Sequence, residues 1–212
     1  MQQNHTVTQR LQFIYRIIRE SLNGEQQDYT KGSIRRSVIL LSIPMVLEMC
    51  MESVFAIVDI FFVGHLGKHA TSVVGLSESM ITIVYSLAIG VSMAATAIVA
   101  RRVGEKHLDA AGEAGMQAVL FAVVVTIAIS IPGFLLAPRL LHIMGAEPEA
   151  IKMGSNYTRI LLGGSLVVML LFLLNGIFRG AGDAMMAMKS LWVANIANII
   201  LCPLLIRGWG PV

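Results

Sequence analysis

The sequence predicts an all-α polytopic membrane protein, and three observations carry that reading. Of 212 residues, 56% are apolar and 14% charged, whereas a water-soluble domain carries about a quarter charged residues. Mean hydropathy is +0.73. The uncharged residues also come in blocks: 79–100, 118–137, 160–178 and 190–206 contain no Asp, Glu, Lys or Arg. An uncharged apolar run of about 18 residues is long enough to cross a bilayer core as a helix. Five spans and their loops fill the chain, so no soluble catalytic domain is expected. The net charge of +3 does not imply nucleic-acid binding, because the basic residues flank spans, where they set orientation. Cys50 and Cys202 both fall inside spans without CxxC spacing, so neither a disulfide framework nor a zinc site is expected.

The opening MQQNHT is polar and lacks the apolar core of a signal peptide, so the first span is expected to act as an uncleaved insertion signal. Residues 8–22 have helical periodicity. Leu11, Ile14, Tyr15, Ile18 and Leu22 share one arc, and Arg10, Arg16 and Arg19 lie outside it. Such a helix lies in the headgroup plane or packs on the protein's own cytoplasmic face. Residues 23–33 read as a polar linker. Residues 1–33 are thus a cytoplasmic amphipathic helix and linker, and residues 34–212 hold transmembrane helices 1–5.

Those spans are placed at about 37–64, 72–100, 113–137, 155–178 and 189–206. Residues 104–115 form a polar loop between spans 2 and 3, and 145–149 an outer turn with Pro148 starting the next helix. Pro132-Gly133 and Pro203 are expected to kink or end their spans. With the amino terminus inside, 11 of 16 Lys and Arg residues fall on the inner side. That bias predicts a cytoplasmic amino terminus.

Charges inside a span cost several kcal/mol on insertion scales, so each needs a reason. Span 1 carries Glu48, Glu52 and Asp59, at about 0°, 40° and 20° on a helical wheel, hence on one face. Spans 2–5 carry no Lys or Arg at membrane depth, so pairing with a base is not expected. Protonated carboxyls, hydrogen bonds to Ser, Thr or Asn, or a bound cation remain. In span 2, Glu78, Thr82, Tyr85, Ser92 and Thr96 share a face suited to an aqueous cavity. Ser and Thr in such a stripe also serve to bond helix to helix. Span 5 carries Asn195, Asn198 and Cys202 on one face. Asparagine at membrane depth is either interhelical glue or, beside acids, an oxygen donor to a hard cation.

Other features point away from chemistry. His65 and His69 flank an outer loop with no third ligand nearby. Gly176 and Gly180 form a GxxxG of the kind that packs helices closely, and Arg179 is expected to pair with Asp183 across an inner turn. No HExxH, GxSxG, Walker or dinucleotide fingerprint occurs. Neither an enzyme nor an ATP-driven pump is predicted.

The run PMVLEMCMESVFAIVDIFFVGHLG (44–67) resembles the first span of the multidrug and toxic compound extrusion (MATE) family. VVGLSES (73–79), AIVARRVGEK (97–106), FRGAGDAMMAM (178–188) and NIILCPLLIRGWGP (198–211) agree with it in order. The resemblance covers about residues 33–212. It implies a twelve-helix secondary transporter of two six-helix lobes, of which this chain holds five helices, with a sixth span and the carboxyl-terminal lobe expected after Val212. Such proteins export cationic or amphiphilic drugs in exchange for H⁺ or Na⁺ and need no other cofactor. A bacterial inner (plasma) membrane location is implied. By resemblance, Asp59 is the coupling carboxylate and Asn198 its partner from span 5, so a Na⁺ site would lie at this pair. The family's usual aspartate four residues after that asparagine is Cys202 here. That departure implies either impaired coupling or a share of the task for Glu52. Glu48, Glu78, Thr82, Tyr85, Thr96, Asn195 and Cys202 are the expected cavity lining. A lipid-linked or polysaccharide flippase of similar fold and a non-transporting membrane subunit are the alternatives. The acidic stripe argues against the flippase, whose cavity needs bases to meet phosphates.

Overall fold

A computed structural model describes residues 16–22, 33–65 and 67–206. The reading of residues 8–15, most of the 23–33 linker and the tail from Arg207 onward lies outside the described residues. Among the described residues every element is a helix: α1 (16–22), α2 (Ile34–Gly64), α3 (Lys68–Gly104), α4 (Leu108–Ile143), α5 (Pro148–Gly163), α6 (Ser165–Gly180) and α7 (Ala184–Ile206). Lys68–Gly104, Leu108–Ile143, Pro148–Gly180 and Ala184–Leu205 are each long and apolar enough to cross a membrane. Helix α2 has 31 residues, about 46 Å at 1.5 Å per residue; it is not one of those four and carries three carboxylates along its length.

The helices overrun the apolar blocks that predicted them. The expected loop at 104–115 shrinks to Glu105–His107, and α4 begins at Leu108. Arg101 and Arg102 clamp Glu105 at 2.9 and 3.3 Å. They hold its carboxyl below the usual carboxylate range, the Arg101 hydrogen bond contributing most. This clamp is therefore intact at neutral pH and is released as pH falls through the depressed value. Pro132 does not end its span, since α4 runs through Pro132 and Pro138 to Ile143. Likewise α7 runs through Pro203. The expected fourth span is present as the membrane-length segment Pro148–Gly180, broken at Gly163 and Gly164 into α5 and α6. A Cβ on Gly163 would stand 3.0 Å from Phe134, and one on Gly164 2.9 Å from the Ile160 carbonyl oxygen. A glycine pair is a usual place for a helix to break.

Small residues and hydroxyls hold these helices together, as expected where lipid removes the hydrophobic drive for helix association. Ser92 and Thr96 of α3 donate to the carbonyls of Phe172 and Gly176 of α6 at 2.7 and 2.8 Å. Ser77 and Thr158 join α3 to α5 at 2.8 Å, and Ser130 and Ser165 join α4 to α6 at 2.7 Å. Ala88, Ala95, Ala122, Met169 and Leu173 fill the core between α3, α4 and α6. The GxxxG glycines face α3: a Cβ on Gly176 would sit 2.2 Å from Ser92 Oγ, and one on Gly180 2.7 Å from the Thr96 carbonyl oxygen. Gly176→Ala is accordingly expected to lower stability by about 1–3 kcal/mol, the usual cost of overpacking. Thermal unfolding in detergent reads this out; an unchanged midpoint would contradict the close approach.

Helix α2 packs mainly on α7. The turns at 16–22 brace its start: Ser21 donates to the Leu40 carbonyl at 2.8 Å, and Glu20 pairs with Arg36 at 2.5 Å. Ile17 and Ser21 form the buried face, while Ile18 and Leu22, members of the expected apolar arc, are partly exposed. The segment therefore rests on the protein through a face beside the expected apolar arc, and keeps Ile18 and Leu22 of that arc on its outer side.

Candidate functional site

The acids of α2 lie in two groups. Glu48 is buried and meets Arg179, at the end of α6, through hydrogen bonds of 3.3 and 3.5 Å from one guanidinium nitrogen. The side chains are 9% and 18% exposed. This corrects two expectations, that no base reaches the acids and that Arg179 pairs with Asp183. Asp183 instead caps α7, accepting the Met186 backbone N–H at 2.9 Å. The capping bond satisfies one of the orphan donors of a helix start. A carboxylate removed from water needs a cation more than a solvated aspartate does, and the long arginine side chain reaches inward from the helix end. Glu52, one turn above Glu48, is exposed and lies within electrostatic reach of Arg179.

The second group surrounds Asp59, which is half-buried. Cys202 of α7 faces it closely enough for its thiol to interact with the carboxylate. Glu78 of α3 is within electrostatic reach of Asp59, and Tyr85 of α3 is within reach of Glu52, Asp59 and Glu78. Tyr157 of α5 joins the same set through Glu78, Asp59 and Tyr85. The cluster thus draws on α2, α3, α5 and α7. On α7, three buried polar atoms have no hydrogen-bond partner among the described residues: Trp192 Nε1, Asn195 Nδ2 and Asn198 Oδ1.

The polar stripe of α3 divides along its length. Glu78 and Thr82 are exposed, with Thr82 donating to the Glu78 carbonyl at 2.8 Å, and Tyr85 stacks at a tilt on Phe172, 5.8 Å between ring centres. These three stay with the acidic cluster. Ser92 and Thr96 do not: their hydroxyls bond to the α6 carbonyls and pack α3 on α6. The reason is register, because α6 crosses α3 at Gly176 and Gly180 and covers that half of the stripe. His69 lies apart, 3.4 Å from Glu147 and 3.8 Å from Glu149. His65 contacts the Phe61 carbonyl of its own helix at 2.7 Å. Among the described residues no group of three or more His, Cys, Asp or Glu is arranged to hold a metal ion. Any cation at Asp59 would draw on amide and hydroxyl oxygens as well.

Sequence reasoning missed Arg179 and Tyr157. Arg179 offered one signal, a lone base at the end of an uncharged helix whose reach exceeds a helical turn. Tyr157 offered none, because its place in the cluster depends on where α5 packs.

The MatE family model matches residues 44–204. A probable multidrug resistance protein of Bacillus subtilis, YoeA, is 26% identical over 86% of this chain and 40% of its own length. An FAD transporter of Shewanella oneidensis is 26% identical over 84% of this chain and 39% of its own. The chain therefore spans about 40% of the length of the curated relatives it matches. Among solved structures, a MOP superfamily transporter from Pyrococcus furiosus superposes with a TM-score of 0.80 and 27% identity, over 88% of this chain and 42% of that one. A family match over three-quarters of the sequence, with relatives of the same fold, places this chain in the MatE family of membrane transporters.

Proposed function

We propose that the chain supplies the amino-terminal helices of a secondary exporter of small cationic or amphiphilic drugs, working in antiport with H⁺ or Na⁺. It sits in the bacterial plasma membrane with its amino terminus in the cytoplasm and works with a second lobe, since alternating access rocks one half against the other. The observation that supports this most is the company of Asp59: a half-buried carboxylate against Cys202, on a helix neighbouring α7 with its unpartnered Asn198 oxygen. An ionisable group at membrane depth is a functional site by default.

The mechanism follows from charge. A cation taken up at Asp59 neutralises it, changes what α2 can pack against, and weakens the hold on a positively charged drug in the same cavity. Drug and coupling ion compete for one negative field. The electrostatics also favour cationic over anionic cargo. Glu52, Asp59 and Glu78 set a negative potential, and Arg179, the base within reach, is spent on Glu48. An anion such as FAD, named for the Shewanella relative, meets the wrong sign here. So does the lipid-linked phosphate of a flippase.

The test uses inside-out vesicles from cells expressing the whole coding sequence. A fluorescent lipophilic cation is expected to accumulate when the lumen is acidic or Na⁺-loaded, and to stop accumulating when an ionophore collapses that gradient. Uptake indifferent to both gradients would overturn the reading. Cys202→Asp is expected to raise gradient-driven uptake, since it adds an ionisable oxygen donor where a thiol, of ordinary pKa about 8.5, stays protonated and neutral at neutral pH.

A further inference from the structure

Helix α2 packs mainly on α7 and runs parallel to it: Arg179, just before α7, meets Glu48, and Cys202, near the far end of α7, lies within electrostatic reach of Asp59. Between these contacts α7 presents Trp192, Asn195 and Asn198, each three residues from the next, on the stripe that ends at Cys202. One polar atom of each is buried and has no partner among the described residues: a donor, a donor and an acceptor, in that order. Asn195 is only 6% exposed. Along the same level α2 carries Glu52 and Glu48. Buried polar groups at membrane depth must find partners, because each one left unsatisfied costs several kcal/mol. Three residues of helix rise about 4.5 Å, a gap that one water bridges with two hydrogen bonds.

We infer that a file of water molecules fills the seam between α2 and α7, from Asp59 to the Glu48–Arg179 pair. It is the exit by which the coupling ion leaves Asp59 toward the end of the bundle that holds Arg179 and the α3–α4 turn. This rests on the proposed coupling role of Asp59 and adds the route. For a proton the step balances simply. The Asp59 carboxyl gives its proton to the nearest water, each water passes one onward, and the last releases one at the Glu48–Arg179 end. Asp59 is left ionised. Glu52, beside the file, stabilises the passing positive charge. Asn195 and Trp192 are positioning residues, since they hold the water and leave the ion's charge to the acids.

Cys202 reports on this route without any transport measurement. In a Cys50→Ser background it is the single thiol among these 212 residues, and any cysteine elsewhere in the full chain is replaced by serine as well. Silver ion, supplied as nitrate, is offered to the cytoplasmic face (inside-out vesicles) or the external face (right-side-out vesicles). Unreacted Cys202 is then counted with a maleimide dye after denaturation. Silver on the cytoplasmic face is expected to protect Cys202 rapidly. Asn195→Leu is expected to slow that protection by about tenfold or more, and Asn195→Ser to leave it fast, because serine still binds water and opens space. Protection from the external face should be unchanged in both, which shows that the fold is intact. Trp192→Phe keeps the ring, removes only the N–H, and is expected to slow protection about threefold. Unprotected Cys202 in the parent, or protection in both Asn195→Leu and Trp192→Phe as fast as in the parent, would overturn the route. The coupling role fails separately: it falls if Asp59→Asn transports normally, whatever silver does.

Discussion

Asp59→Asn is expected to abolish gradient-driven uptake of a lipophilic cation, by about a hundredfold if α2 is biased only through this carboxylate. Asparagine matches the shape of aspartic acid but can neither gain a proton nor pair with Na⁺. A ligand shifts a conformational equilibrium only by its differential affinity for the two states, and 1:99 to 99:1 takes about 5.5 kcal/mol. With no site for the ion, the gradient supplies none of it. Drug binding, read by fluorescence titration of detergent-solubilised protein, is expected to weaken less than transport, because Glu52 and Glu78 still hold the cavity negative. Glu52→Gln is the informative companion and is expected to keep most of the uptake. Normal transport by Asp59→Asn together with a dead Glu52→Gln would move coupling about two turns down α2, the alternative that Cys202 raises.

The second large effect is on stability. Arg179→Met is expected to cost about 3–5 kcal/mol, the range found when one partner of a buried ion pair is removed. Glu48 would then be left ionised and buried, or forced to take up a proton. The double variant Glu48→Gln, Arg179→Met removes both charges and is expected to recover most of that loss, since a buried pair contributes little beyond cancelling its own desolvation. Thermal unfolding in detergent of the parent, both single variants and the double variant forms the cycle that isolates the pair. If Arg179→Met unfolds like the parent, the pair is not closed in the membrane-embedded protein.

Both predictions draw on a site that was partly legible in the sequence. Spacings of four and seven residues put Glu48, Glu52 and Asp59 on one face, and the spacing of Asn195, Asn198 and Cys202 did the same for α7. Helical periodicity reports angle on a single helix, and these residues needed nothing more. It reports nothing about the neighbour. Thr96 shares an angle with Glu78, yet α6 covers one and leaves the other open. Arg179 has a natural partner four residues on in Asp183, yet its side chain crosses to α2. The Gly163–Gly164 break interrupts a run whose hydropathy is continuous.

The sequence by itself determined that this chain crosses a membrane several times as helices. It also determined that the first helix carries charge on one face, and that α6 has a glycine edge suited to close packing. Composition and period suffice for those, because they follow from the cost of exposing apolar surface and backbone to the wrong solvent. Tertiary structure alone decided that Glu48 is neutralised by Arg179 while Asp59 is left to Cys202, and that half of the α3 stripe is glue. Those outcomes depend on which helices touch and at what height. Long side chains and crossing points set that height, and neither is written in any one helix.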